Sequence, residues 1–222
     1  MGSPLFLMDV AGNYKDLGYL HVRELIPPEV ARAFLGGIKE DLGPAPIDLR
    51  GITRHGLQLK RPAFQIYGHD YRPMSSFLFA LTPTISQLTG VDLLPAYDYF
   101  RIYREGDICR VHSDRPSCEH SVSLTLDYSD GEVWDLQVAR QQTSRAQPVT
   151  EDFGPDEYSS VGMKVGGAVL YQGVHHRHGR ITANPNAWSA HLFLHFVERG
   201  GPYEEYAFDK KVSPQPVNFT FV

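Results

Sequence analysis

Apolar residues recur along this chain in two rhythms, one helical and one alternating. After Pro27-Pro28-Glu29, the residues Val30, Phe34, Ile38 and Leu42 fall on one helical face. Proline in a first turn lacks only an N–H that the helix leaves unused, and an early carboxylate complements the dipole, so a helix is expected to start there. Gly36-Gly37 weakens it and Gly43-Pro44 ends it. A second face, Phe77, Leu78, Leu81, Ile85 and Leu88, predicts a helix from about Pro73 to Leu88, kinked or divided at Pro83. Tyr19-Leu20-His21-Val22 reads as a first strand leading into the first helix, Gly43 to Gly56 as loop, and Phe64-Gln65-Ile66-Tyr67 as strand. These helices are expected to brace a sheet.

Beyond Gly90 the rhythm shortens to strands separated by turn residues. The expected strands are Ala96 to Tyr103, Arg110 to Asp114, His120 to Tyr128, Glu132 to Ala139, Val165 to Tyr171 and Ser189 to Val197. Such a series predicts a mainly β fold, a sandwich, barrel or jelly roll with supporting helices. Between His120 and Leu126 the alternation is strict: Val122, Leu124 and Leu126 share one face, and Ser121, Ser123 and Thr125 form a small polar row that suits a pocket. The segment from Gln141 to Met163 is polar and long for a connection, which fits a binding loop or an insertion of no consequence.

At 222 residues and 42% hydrophobic, the chain fits one domain: helices over about 1–90, a β core over about 96–198 and a tail over 199–222. A net charge of -5 and a pI near 6.0 argue against a surface built for nucleic acid or anionic membrane. Cys109 and Cys118, the only two cysteines, form no spaced disulfide framework and read as reduced thiols of a cytoplasmic protein. Met1-Gly2-Ser3-Pro4-Leu5-Phe6 lacks the basic start and apolar core of a signal peptide, and no later run approaches a membrane span.

The chemistry concentrates in Tyr103 to Pro116 and Leu170 to Arg180. On a strand, His112 and Asp114 present an imidazole and a carboxylate to the same side. One histidine from His175, His176 and His178 would complete a 2-His-1-carboxylate triad, the donor set that holds Fe(II) by one face and leaves the others open. His-x-Asp is common by chance, so its surroundings carry the assignment.

Those surroundings resemble the Fe(II)/2-oxoglutarate-dependent dioxygenases, in particular their prolyl-hydroxylase-like branch. In the same order the chain has Tyr-x-x-Gly-Asp at Tyr103 to Asp107, His-x-Asp-Arg-Pro at His112 to Pro116, and an alternating strand after Cys118. Gly-Gly-Ala-Val-Leu-Tyr follows at Gly166 to Tyr171, then His-x-Arg, and a closing Phe-Leu-His-Phe-Val at Phe193 to Val197. The resemblance covers roughly residues 96 to 198. It implies a double-stranded β-helix, a jelly roll whose sheets enclose the metal. It also implies an enzyme with Fe(II), 2-oxoglutarate and O2, which hydroxylates an unactivated C–H bond and releases succinate and carbon dioxide. Related halogenases lack the carboxylate that Asp114 supplies, which favours hydroxylation.

The resemblance also implies roles. Matching Leu170 to Gly173 to the family's strand end makes His178 the third ligand, followed by Arg180; His176 is the next candidate and His175 the third. The base usually found nine to twelve residues after that histidine is missing, since Ala187 to Ala190 supply none. Arg180 is therefore the first choice for the distal carboxylate of 2-oxoglutarate and Arg101 the second, with Tyr103 and Thr125 as further contacts. Arg104, Arg110, Arg115 and Arg177 make the region basic and suggest an anionic small-molecule or peptide substrate, with Arg115, His176 and Trp134 as candidate contacts. A nucleic-acid substrate fits the acidic balance poorly. The competing readings are a non-catalytic jelly roll that senses metal or 2-oxoglutarate and a cupin-like isomerase.

Overall fold

The computed structural model describes residues 8–41, 53–54 and 56–209. Leu42, Gly43-Pro44 and most of the loop expected before Gly56 lie outside the described residues, as do Met1 to Phe6 and the tail beyond Asp209. Helix α1 spans Tyr14–Leu17, α2 spans Pro28–Asp41 and α3 spans Ser75–Thr89. Proline opens α2 as expected, and Ala31, Leu35 and Ile38 form its buried stripe. Helix α3 runs unbroken through Pro83, which lies on its exposed side, and ends at Gly90 in the left-handed conformation.

The strands are β1 (Val10–Asn13), β2 (Tyr19–Val22), β3 (Thr53–Arg54), β4 (Ala63–Tyr67), β5 (Leu93–Arg104) and β6 (Cys109–His112). They continue with β7 (His120–Tyr128), β8 (Leu136–Ala139), β9 (Tyr158–Val161), β10 (Ala168–Tyr171), β11 (His178–Arg180) and β12 (Trp188–Glu198). All described pairings are antiparallel. A large sheet has the order β1-β2-β10-β7-β12-β5-β4-β3, and a small one β6-β11-β8-β9. Leu136, Val138 and Val161 of the small sheet pack on Val169 and Tyr171 of the large one. The two sheets therefore face each other as a jelly roll, the double-stranded β-helix.

Alternation along three adjacent strands decides which face holds the chemistry. On β5, Phe100 and Ile102 point outward, as do Leu192, Leu194 and Phe196 on β12 and Val122, Leu124 and Leu126 on β7. Helices α2 and α3 cover this face through Ala31, Leu35, Ile38, Leu78 and Ile85. Each large side chain fully buried there contributes about 1.5–3 kcal/mol. The opposite parity presents Tyr97, Tyr99, Arg101 and Tyr103 from β5, Ser189, His191, Phe193 and His195 from β12, and Ser121, Ser123 and Thr125 from β7 to the interior.

Several boundaries differ from expectation. Strand β1 and helix α1 precede the expected first strand; β1 is short, mostly exposed and held only through β2, so it carries little hydrophobic signal. Strand β6 ends at His112, and Asp114 lies in the loop after it. The Glu132 to Ala139 strand begins only at Leu136. The polar Gln141 to Met163 segment holds β9 and lies along β6, where the Thr150 N–H donates to the Val111 carbonyl at 2.8 Å. Residues Glu204–Asp209 fold back so that Ala207 packs on Leu94, Ala96 and Tyr97.

Beside that fold-back, Asp98 is 2% exposed and accepts a hydrogen bond from Ser75 Oγ at 3.1 Å. Burial, opposed by this bond and reinforced by Asp209, pushes its carboxyl up to about 6 from 3.8. A carboxyl raised on folding favours the protonated native state, so stability is greatest below the unfolded value and falls as pH rises from about 4 to 6. The cost at neutral pH is about 3 kcal/mol at most. Asp98→Asn is expected to raise the thermal midpoint at pH 7 and to match wild type near pH 4, as checked by calorimetry across that range.

Candidate active site

His112 and His178 are directly paired residues on the antiparallel strands β6 and β11. Their side chains therefore share a face, with ring centroids 4.5 Å apart. Asp114 arrives from the loop, which is pinned by its own N–H donating to the Gly173 carbonyl at 2.8 Å. His112 Nε2 lies 3.6 Å from Asp114 Oδ1, and His178 Nε2 lies 3.5 Å from Oδ2. One ligand atom from each of these three residues falls within 4.8 Å of the others. Gly173 makes room for the loop: a Cβ there would lie 2.4 Å from Asp114 Oδ2 and from the Cys118 carbonyl oxygen.

The rings are oriented for metal binding. His112 Nδ1 lies 2.7 Å from the Arg110 carbonyl and His178 Nδ1 lies 3.0 Å from the His176 carbonyl. Both Nδ1 atoms must carry the proton to make these bonds, so in the neutral rings Nε2 is left as the lone pair facing Asp114. Burial pushes the Asp114 carboxyl up, but His178 and His112 outweigh it and hold the group well below the usual carboxylate range. Burial lowers His178, and Asp114 more than reverses this. Two imidazoles and an ionised carboxylate, with no thiolate in the set, suit a divalent first-row metal with open positions.

Two cavities meet at this triad. The inner one is narrow and is lined by Tyr103, Cys109, Leu136, Tyr171, His178 and Arg180, among others. The outer one has a volume of about 340 Å³ and is lined by Gln58, Gln65, Tyr97, Ser113, Arg115 and His195, with Val149 from the long polar segment. Tyr99, Arg101, His112 and Asp114 line both.

Arg180 is 1% exposed and lies over the Trp134 ring, 4.5 Å from its centroid. It donates to the Trp134 carbonyl and, at 3.5 Å, to Ser123 Oγ. Arg101, 5% exposed, donates from Nε and Nη2 to Gln65 Oε1 at 2.8 and 2.6 Å, and from Nη1 to the Tyr103 hydroxyl at 2.8 Å. Burial pushes the Tyr103 phenol up to about 12, so it stays neutral. Among the described residues, neither arginine has a carboxylate within ion-pair distance.

Other expected site residues lie elsewhere. Thr125 Oγ1 is buried 3.3 Å from His191 Nδ1 and lines neither cavity. His176 also lines neither, with Nδ1 2.9 Å from the Ala139 carbonyl and its ring seated on Gly18, whose φ of 68° and missing Cβ admit it. Trp134, 1% exposed, stands behind Arg180 and donates to the Thr182 carbonyl at 2.9 Å, so it supports the guanidinium and lines neither of the two cavities. The expected basic surround shrinks too. Arg110 pairs with Glu151 at 2.6 Å, Arg177 pairs with Asp156 at 2.7 Å, and Arg104 donates to the Pro62 carbonyl.

Residues absent from the expected set include Tyr97, Tyr99, Gln65 and His195. Tyr97 and Tyr99 share the parity of Arg101 and Tyr103 on β5, which is the signal that could have found them. At the first inward position after the baseless stretch stands His191. Burial, then Arg180 and Arg101, hold its imidazole well below the ordinary value and therefore neutral.

No protein-family model matches this chain, and no curated protein matches it. Solved structures do. A Pseudomonas putida prolyl-4-hydroxylase superposes with a TM-score of 0.55 at 16% identity, covering 84% of this chain and 96% of that one. The non-heme α-ketoglutarate-dependent carbocyclase SnoK from nogalamycin biosynthesis gives a TM-score of 0.62 at 14% identity, covering 90% and 88%. HygX from Streptomyces hygroscopicus, with nickel, 2-oxoglutarate and hygromycin B bound, gives 0.61 at 9% identity, covering 83% and 84%. The fold of the chain is that of the Fe(II)/2-oxoglutarate oxygenases, prolyl hydroxylases among them.

Proposed function

We propose that this chain is an Fe(II)- and 2-oxoglutarate-dependent oxygenase that hydroxylates an unactivated C–H bond of a small molecule or an amino-acid or peptidyl substrate. His112, Asp114 and His178 would hold the iron, and Arg180, Arg101 and Tyr103 the cosubstrate. The observation that carries this reading is the pair of buried guanidiniums without carboxylate partners, lining the same inner cavity as the His-Asp-His cluster. A buried charge left uncompensated is costly, and a dianionic 2-oxoglutarate supplies the missing charge. The absence of a base at Ala187 to Ala190 is consistent with this arrangement, because Arg180 enters from β11 and Arg101 from β5.

Bound iron with 2-oxoglutarate and O2 would supply the oxidising power, coupling decarboxylation of the cosubstrate to oxidation of the C–H bond. The chain's own residues do the rest. The Arg110 and His176 carbonyls fix the two imidazole tautomers, and Ser121 Oγ lies 3.3 Å from Asp114 Oδ2 and helps aim it. Tyr103 steadies Arg101, and Trp134 steadies Arg180. The outer cavity gives substrate access to the face of the triad away from Arg180. Among the described residues no helix is long and apolar enough to cross a membrane. The free, buried thiols of Cys109 and Cys118 support the cytoplasmic location we assign.

The test is succinate release by anaerobically iron-loaded protein when oxygen is admitted, with 2-oxoglutarate and a pool of metabolites and peptides. Succinate that rises with the pool and disappears in His178→Ala is the expected result. Protein that neither binds 2-oxoglutarate nor forms succinate would overturn the proposal.

A further inference from the structure

The outer cavity carries more positive charge than iron and 2-oxoglutarate account for. Among the described residues, Asp114 is the only acidic one that lines either cavity. Three guanidiniums face it: Arg180 in the inner cavity, Arg115 in the outer and Arg101 at both. Among the described residues none of the three is within ion-pair distance of a carboxylate. Asp209 feels the charge of Arg115 but is already engaged by His69 at 3.2 Å.

The remaining neighbours cannot make up the difference. Arg115 lies over the Tyr97 ring, 4.5 Å from its centroid, and the Tyr97 hydroxyl is itself engaged with the Cys118 thiol at 3.0 Å. Burial holds the phenols of Tyr97 and Tyr99 well above their ordinary value and pushes the Cys118 thiol up to about 12, so all three stay neutral. His195, whose ring stacks on Tyr97 at 4.5 Å, is lowered to about 3 by burial and is neutral as well. A divalent metal would add two positive charges and 2-oxoglutarate would remove two, which leaves the excess of three arginines over one carboxylate in place.

The shape of the cavity adds a second constraint. Tyr97 and Tyr99 lie within 23° of parallel, and His195 lies within 25° of both, so one wall is a tier of flat rings. Gln58, Gln65 and Ser113 make the rest of the lining polar. A volume of about 340 Å³ is at the small end for ligand sites and fits a molecule of metabolite size.

We propose that the outer cavity binds a free, small organic acid, its carboxylate on Arg115 and its body against Tyr97 and Tyr99, so that the substrate is an organic anion rather than a residue of a neutral peptide. This rests on the oxygenase reading, in which the same cavity delivers substrate to the metal. Arg115 stands at the exposed rim, where it can meet the anion first and fix which end of the molecule points toward the triad. Arg101, at the junction, keeps the positive field continuous up to the triad.

The test uses Zn(II)-loaded protein, first titrated with 2-oxoglutarate by calorimetry and then held saturated with it. Benzoate, cinnamate and hexanoate are titrated against their uncharged primary amides, followed by phenyl phosphate and an acetylated, amidated proline-rich peptide. At least one acid is expected to bind ten-fold or more tightly than its amide. Arg115→Met should erase that preference, Arg115→Lys should keep part of it, and 2-oxoglutarate affinity should stay within two-fold in both.

Equal binding of acids and amides, binding of the peptide alone, or phenyl phosphate without any carboxylate would overturn the proposal. So would 2-oxoglutarate binding with no acid bound. Failure of the first titration instead strikes the oxygenase reading, and the acid titrations on Zn(II)-protein then decide the anion site by themselves.

Discussion

Replacing Asp114 with Ala is expected to abolish iron retention and turnover while leaving the fold intact. Among the described residues Asp114 is the only carboxylate lining the two cavities, and it faces both imidazoles, so its loss removes the negative charge that attracts a cation to that point. Disturbing a group behind a metal ligand typically costs 10–100-fold in affinity, so losing a ligand should cost more than about 100-fold. The side chain belongs to a loop rather than to the core, and its loop is held by the backbone bond to Gly173. Anaerobic calorimetry with Fe(II), beside a thermal melt of the metal-free protein, separates lost metal binding from lost folding. An iron-replete, active Asp114→Ala enzyme would overturn the ligand assignment.

Arg180→Met should give the second large effect, a rise of about 30-fold or more in the 2-oxoglutarate dissociation constant with Fe(II) affinity unchanged. Removing one partner of a buried charge pair costs about 2–5 kcal/mol, and Arg180 is buried against neutral partners only. The same observation predicts an opposite effect on the free protein. A guanidinium without a carboxylate destabilises the unliganded fold, so the methionine variant should melt higher than wild type without 2-oxoglutarate and lose most of the ligand-induced rise in its presence. Arg180→Lys should recover only part of the affinity, because an ammonium cannot present the planar pair of donors. An unchanged dissociation constant in the methionine variant would move the carboxylate contact to Arg101.

How much of this was legible in the chain depended on how local the physics is. The strand His120–Tyr128 carries its own evidence: an alternation of period two states that it is a strand and which side is polar, and the polar row does face the interior, although Ser121, Ser123 and Thr125 are buried there and line neither cavity. The same rule applied to β5 and β12 would have found Tyr97, Tyr99 and His191, whose parity matches Arg101, Tyr103 and His195. Strand rhythm misplaced Asp114, which reaches the triad from a loop pinned by Gly173, a contact 59 residues away in the chain that no local pattern reports. Trp134, His176 and Thr125 are residue types that suit a pocket, and the tertiary structure uses each as a support behind one.

The β texture, the helices that brace it, and a set of histidines, acids and arginines in an order that resembles one oxygenase family can all be read from the chain. These follow from periodicity, capping and residue chemistry, all of which act within a few residues. Which of these residues meet is set by strand pairing across the fold. Pairing β6 with β11 sets His112 opposite His178, and pairing β5 with β12 stacks Tyr97 on His195. The fold also decided which charges are spent. Arg110 and Arg177 find acids across the fold, whereas Arg101, Arg115 and Arg180 converge on a single carboxylate. Charge neutralisation depends on distance in space, and that distance is fixed by strand pairings between segments far apart in the chain.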